Sequence, residues 1–180
     1  MSRAVPTIFA FLVLLAAGCG GEEESASEAW AGDFCSAASD WRSSIEEAVA
    51  QVGDPADLSF NSLRGAIDDG LAATETFVAD LRALGPPETE AGQEAATIVD
   101  SMASDLESDV DQLRSAFETE TQSVPELLEK AGQATTLIGQ MAQQLQGSVQ
   151  ELEGLEPADE LGNALRDNED CEAARAGSGS

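Results

Sequence analysis

The chain contains no histidine and no tyrosine, and its only lysine is Lys130. The missing histidine removes the usual base for a serine, threonine or cysteine nucleophile. It also removes the commonest neutral metal ligand, which disfavours zinc. A serine–lysine pair would have to use Lys130, which falls in a helical segment and reads as a surface side chain. Neither glycine pattern that cradles phosphates, G-x-x-x-x-G-K-[ST] or G-x-G-x-x-G, occurs. Cations are scarce: 8 Lys and Arg face 35 Asp and Glu, a formal charge of −27. Nucleic acid is excluded as a partner, because neutralising phosphates needs Lys and Arg. Anionic lipid headgroups repel such a chain as well. The surplus of acid leaves a cationic partner, wall cations or plain solubility as its explanations. Strand signals are also lacking: no stretch alternates apolar and polar residues, and Asp69-Gly70 lies inside a helical stripe rather than between strands.

One apolar run is present, at the start. Arg3 precedes Ile8 to Ala17 (IFAFLVLLAA), and small residues follow. That order is the secretory signal pattern, and the run is far shorter than the roughly 20 residues a membrane-spanning helix needs. A lone Arg3 does not make a twin-arginine signal. The run closes with Leu15-Ala16-Ala17-Gly18-Cys19. This resembles the lipobox of bacterial lipoproteins, with Ala16 where Leu is usual and Leu15 one place earlier. The resemblance implies export, cleavage before Cys19 and diacylglyceryl attachment to the Cys19 thiol. It covers the signal region alone and carries no activity. "LLAAGCGG", together with the Lys-poor, Ala-rich composition, is similar to lipoproteins of high-GC Gram-positive bacteria. After Cys19, Gly20 to Glu28 (GGEEESASE) is small, polar and acidic and reads as a disordered tether. Maturation of a lipoprotein implies at least two acyl chains, which stable anchoring requires.

If Cys19 is acylated, Cys35 and Cys171 remain as an even pair. In an oxidising exported compartment such a pair forms a disulfide, here joining the start of the domain to its end. A reactive-thiol reading has no His and little positive charge to stabilise a thiolate.

The rest of the chain, about 160 residues, is the size of one domain. Segment one runs from Ala29 to Val52, with Trp30, Phe34, Ala37, Trp41, Ile45, Val49 and Val52 on one helical face. Segment two runs from Leu58 to Leu84, with Asp57 as N-cap, Gly85 as C′ residue, and a stripe from Leu63 through Thr74 to Leu81. Segment three starts at Pro86-Pro87-Glu88 and runs to Glu120, with Ala95, Val99, Met102, Leu106, Val110, Leu113 and Phe117 spaced by three and four. Segment four opens on the capping box Ser123-Val124-Pro125-Glu126 and carries Leu128, Ala131, Ile138, Met141, Leu145, Val149 and Leu152. A short fifth helix, Pro157 to Glu169, brings Leu161 and Leu165 towards Cys171. Prolines fall only between segments or in their first turns. The expected fold is all-α, an up-down antiparallel bundle of four long helices plus a short C-terminal helix. The expected division is a signal peptide over 1–18, a lipidated tether over 19–28, the bundle over 29–172 and a disordered tail over 173–180.

The remaining constellations are weak. Asp105, Glu107, Asp109 and Asp111 lie mainly off the stripe of segment three and read as a solvated face. Asp167-Asn168-Glu169-Asp170 lacks the loop spacing of a calcium site. Gly132, Gly139 and Gly147 each weaken segment four by roughly 1 kcal/mol relative to Ala. Close helix approach, a partner contact and plain tolerance all remain open as their explanation. No catalytic residue, metal ligand or cofactor is expected. The sequence is therefore read as a non-enzymatic, lipid-anchored exported bundle. It would bind or scaffold at the outer face of the cytoplasmic membrane, with the membrane as one partner and an envelope protein as another. The alternative is a small-ligand or cation-binding lipoprotein associated with an envelope transporter. That alternative needs a concave pocket, and a solid core speaks against it.

Overall fold

The computed structural model describes residues 25–52, 59–118, 123–155 and 160–175. The apolar run, Cys19, Asp57 and the last five residues lie outside that set. The described residues form six helices: α1 (Ala26–Val52), α2 (Phe60–Leu84), α3 (Gly92–Phe117), α4 (Val124–Glu153), α5 (Glu160–Asp167) and α6 (Glu169–Arg175). The protein is an all-α bundle of four long helices with short C-terminal helices, as the periodicity predicts.

Serines start three of the long helices by satisfying first-turn amides. At α1, Ser25 Oγ accepts from the Glu28 amide at 3.2 Å, and the Glu28 carboxylate accepts from the Ser25 amide at 2.7 Å. These contacts hold the Glu28 carboxyl below its ordinary range, with the Ser25 backbone amide the larger cause. The reciprocal box moves the start of α1 to Ala26, ahead of the expected Ala29. At α2 the cap is Ser59, whose Oγ accepts from the Ser62 amide, while Ser62 Oγ accepts from the Ser59 amide. At α4, Ser123 caps through the Glu126 amide and Pro125 sits in the first turn.

Two boundaries differ from expectation. α3 begins at Gly92 rather than at Pro86-Pro87-Glu88. Proline biases its predecessor away from helix, and residues 87–92 close a turn through Thr89 N–H to Pro87 O and Gly92 N–H to Thr89 O. A Cβ on Gly92 would lie 2.0 Å from the Pro87 carbonyl oxygen, so the turn requires glycine. The expected single C-terminal helix is two. Asn168 interrupts it by turning its amide oxygen to the Asp170 and Cys171 backbone amides, which caps α6. α6 then continues to Arg175, past the expected end at 172.

Each long helix packs on its neighbours in sequence, α1 on α2 most extensively, then α2 on α3 and α3 on α4. α1 and α4 make no substantial contact of their own among the described residues; α5 and α6 lie against both and close the ring at one end. Arg166 secures α5 there by donating to the Glu153 carbonyl at the end of α4 and to Asn163 Oδ1 at 2.7 Å. The core divides accordingly. The larger cluster joins Trp30, Phe34 and Trp41 of α1 to Phe77, Leu106, Met141 and Leu165. A second cluster at the other end comprises Leu63, Ile67, Leu71, Val110, Leu113, Leu127 and Ala134. It contains no buried residue of α1, and only the half-buried Val52 reaches it.

Candidate functional site

At that second end the seam between α1 and α4 is left open. The last turns of α1 stand off the second core cluster, and a cavity of about 180 Å³ lies between them. Ile45 and Val49 of α1 form one wall, Thr74 and Gly70 of α2 the floor, and Ala134 and Ile138 of α4 the other wall. Val49 is 53 % exposed, which puts the mouth beside it. Every lining residue is uncharged, although the chain carries 35 acids.

The polar atoms nearest the cavity are already committed. Thr74 Oγ1 accepts from Trp41 Nε1 at 3.0 Å and donates to the Gly70 carbonyl at 2.8 Å. Trp41 in turn stacks on Phe77 with ring centroids 5.5 Å apart. Thr135 Oγ1 donates to the Ala131 carbonyl. The cavity therefore presents hydrocarbon and two hydroxyls turned to their own helices.

Two sequence expectations fail near helix ends, one of them at the mouth of the cavity. Val49 and Leu128 are expected in the core, yet each is 53 % exposed. Ala48 and Leu127 are buried in their place. α1 and α4 do not meet at this end, so Val49 has no α4 side chain to bury against, while Leu128 lies outside the cavity lining. Most of the other stripe positions are buried as expected, including all six of α2 and Leu161 and Leu165 of α5. The Trp41–Thr74 pair could have been read from two stripe residues with a donor and an acceptor to satisfy. The cavity itself has no such signal.

The other candidate residues lie elsewhere. Cys35 and Cys171 are fully buried in the larger core cluster, with their sulfurs at the disulfide distance of 1.97 Å and their Cα atoms 4.8 Å apart. Cys19 lies outside the described residues. Asp109, expected on a solvated face, is 6 % exposed. Its Oδ1 accepts from Gln112 Nε2, while Oδ2 has no partner. Asp105, Glu107 and Asp111 are not buried. Glu107 pairs with Arg82 at 2.6 Å, and Arg114 reaches both Glu75 and Asp111, which ties α2 to α3 across the surface. Lys130 lies over the Phe117 ring. In the Asp167–Asp170 stretch, Asn168 is a helix cap. Among the described residues no group of three potential metal ligands occurs, and no helix is long and apolar enough to cross a membrane. Comparison with family models, curated proteins and solved structures gives no match.

Proposed function

We propose that the chain is an exported lipoprotein whose bundle is held at the outer face of the cytoplasmic membrane by acyl chains on Cys19, and that it acts by binding rather than by catalysis. The partition of the three cysteines carries this reading. Cys35 and Cys171 stand at bonding distance inside the bundle, which leaves Cys19, directly after Leu15-Ala16-Ala17-Gly18, as the cysteine available for lipid. Only Gly20 to Glu24 separate it from the cap of α1 at Ser25. A lipid on Cys19 would hold the bundle by its closed end, with the cavity end directed away from the attachment point. The described carboxylates support a non-catalytic role, because they are dispersed on the surface or, like Asp109, buried apart from the cavity.

Growth of the producing cells with an alkyne-tagged fatty acid tests the anchor. The wild-type chain takes up the tag and Cys19→Ala does not. An untagged wild type, or equal tagging of the variant, contradicts the proposal.

A second reading is favoured by the cavity itself: a small-ligand lipoprotein delivering its cargo to an envelope transporter. The uncharged lining points that reading towards an apolar ligand rather than a cation.

A further inference from the structure

The seam that the bundle leaves open is apolar in sequence as well as in space. Val49, Val52, Ala131 and Ile138 continue the helical stripes that elsewhere form the core. Here they line a cavity instead of meeting one another. A stripe that simply ran out would turn polar, but this one stays apolar up to the mouth. Size then restricts the occupant. An α-helix with side chains is about 10–12 Å across, too large for a space of 180 Å³. An engineered cavity of roughly 150 Å³ lined by Leu, Ile and Phe stays dry and takes benzene. Polarity restricts it further. Thr74 and Thr135 donate their hydroxyl protons to Gly70 and Ala131, so a buried acceptor on a ligand would find no side-chain donor in the lining. The lining restricts its charge: every residue that forms it is uncharged, and an ionised group moved there from water is strongly disfavoured.

We propose that this cavity is a binding site for a neutral hydrocarbon group, the size of one aromatic ring or a short alkyl chain end. The assignment rests on the second functional reading and is independent of the lipid anchor.

Benzene and benzoate are suitable probes, titrated into detergent-free full-length chain carrying Cys19→Ala. Benzene raises the unfolding midpoint saturably. It also shifts the indole N–H resonance of Trp41, which backs onto the cavity through Thr74, and leaves that of Trp30 in place, since Trp30 bonds the Gly85 carbonyl at the closed end. Benzoate binds at least about tenfold more weakly, because its carboxylate would leave water for an uncharged lining. Ala134→Leu fills the space and abolishes the benzene response. Ala131→Leu, at a half-buried position on the same wall, does so with less strain should the first variant fold poorly. The proposal is overturned if benzene has no effect on the midpoint or on Trp41, if benzoate binds as well as benzene, or if both folded leucine variants respond like the parent. Those failures would remove the ligand site and leave fatty-acid labelling of Cys19 untouched.

Discussion

Single residues in this protein carry more than their size suggests, because so few polar side chains enter its interior. Thr74 is the clearest case. It is 1 % exposed, it satisfies the Trp41 indole across the α1–α2 interface, and it forms part of the cavity floor. Thr74→Val keeps the shape and strands the indole N–H, so a loss of about 1–3 kcal/mol is expected in urea or thermal unfolding. An unchanged midpoint would mean that the Trp41 bond contributes nothing net. Asp109 contrasts with it: it is also buried, yet one carboxylate oxygen has no partner. The surface ion pairs Arg42–Glu46 and Arg82–Glu107 are exposed enough to contribute only tenths of a kcal/mol each.

At the scale of elements, glycine separates two kinds of constraint. Gly85 ends α2 at φ 62° and ψ −176°, a region open to glycine almost alone, and its carbonyl takes the Trp30 indole. Gly85→Ala should destabilise by about 1–3 kcal/mol. Gly132, Gly139 and Gly147 within α4 would meet nothing within 4 Å as alanines. Close helix approach is therefore not their reason within this chain, and each Gly→Ala change should stabilise by roughly 0.5–1 kcal/mol in thermal unfolding. Destabilisation by those three would show that α4 needs flexibility or a contact that an added methyl blocks.

The elements also mark how far the sequence could be read. Periods of three and four placed all four long helices, and Leu161 and Leu165 marked the C-terminal helix, because most apolar residues of those stripes have a helix to face. Caps were harder. Ser25-x-x-Glu28 is a capping pattern, but Gly20 to Glu28 reads as a tether throughout, and Asp57 stands as the expected cap of α2 where the structure uses Ser59. The break at Asn168 came from a side chain outcompeting the helix for two amides, which periodicity does not register. The cavity was illegible for a different reason. A stripe announces that a face is apolar, not that a neighbour arrives to cover it, so Val49 and Leu128 read as core. The exposure of Val49 follows from α5 and α6 closing the ring at one end only, a tertiary outcome set by the Cys171 end of the chain; nothing in the structure explains that of Leu128.

For the whole molecule, the covalent link and the open seam belong to opposite ends. The Cys35–Cys171 pair spans a sequence separation of 136 residues and ties α6 to α1. In the chain-entropy model a loop of that length contributes roughly 4–5 kcal/mol. The double variant Cys35→Ser with Cys171→Ser should lose about that much stability in urea, with α5 and α6 loosened before the α1–α2 pair. A chain unfolding at the parent midpoint would mean the pair constrains little. Charge acts at the same scale. An acidic surface of this density repels anionic headgroups, so under the proposed function attachment to a membrane has to come from the acyl chains.

The partition of the cysteines, on which the functional reading depends, can be examined in one step by non-reducing peptide mass mapping of the chain isolated from the producing cells. The account predicts an N-terminal peptide beginning at Cys19 and bearing acyl mass, together with a linked peptide pair containing Cys35 and Cys171. An intact 1–18 segment with a free Cys19 thiol, or Cys19 bonded to either of the other two cysteines, would contradict it.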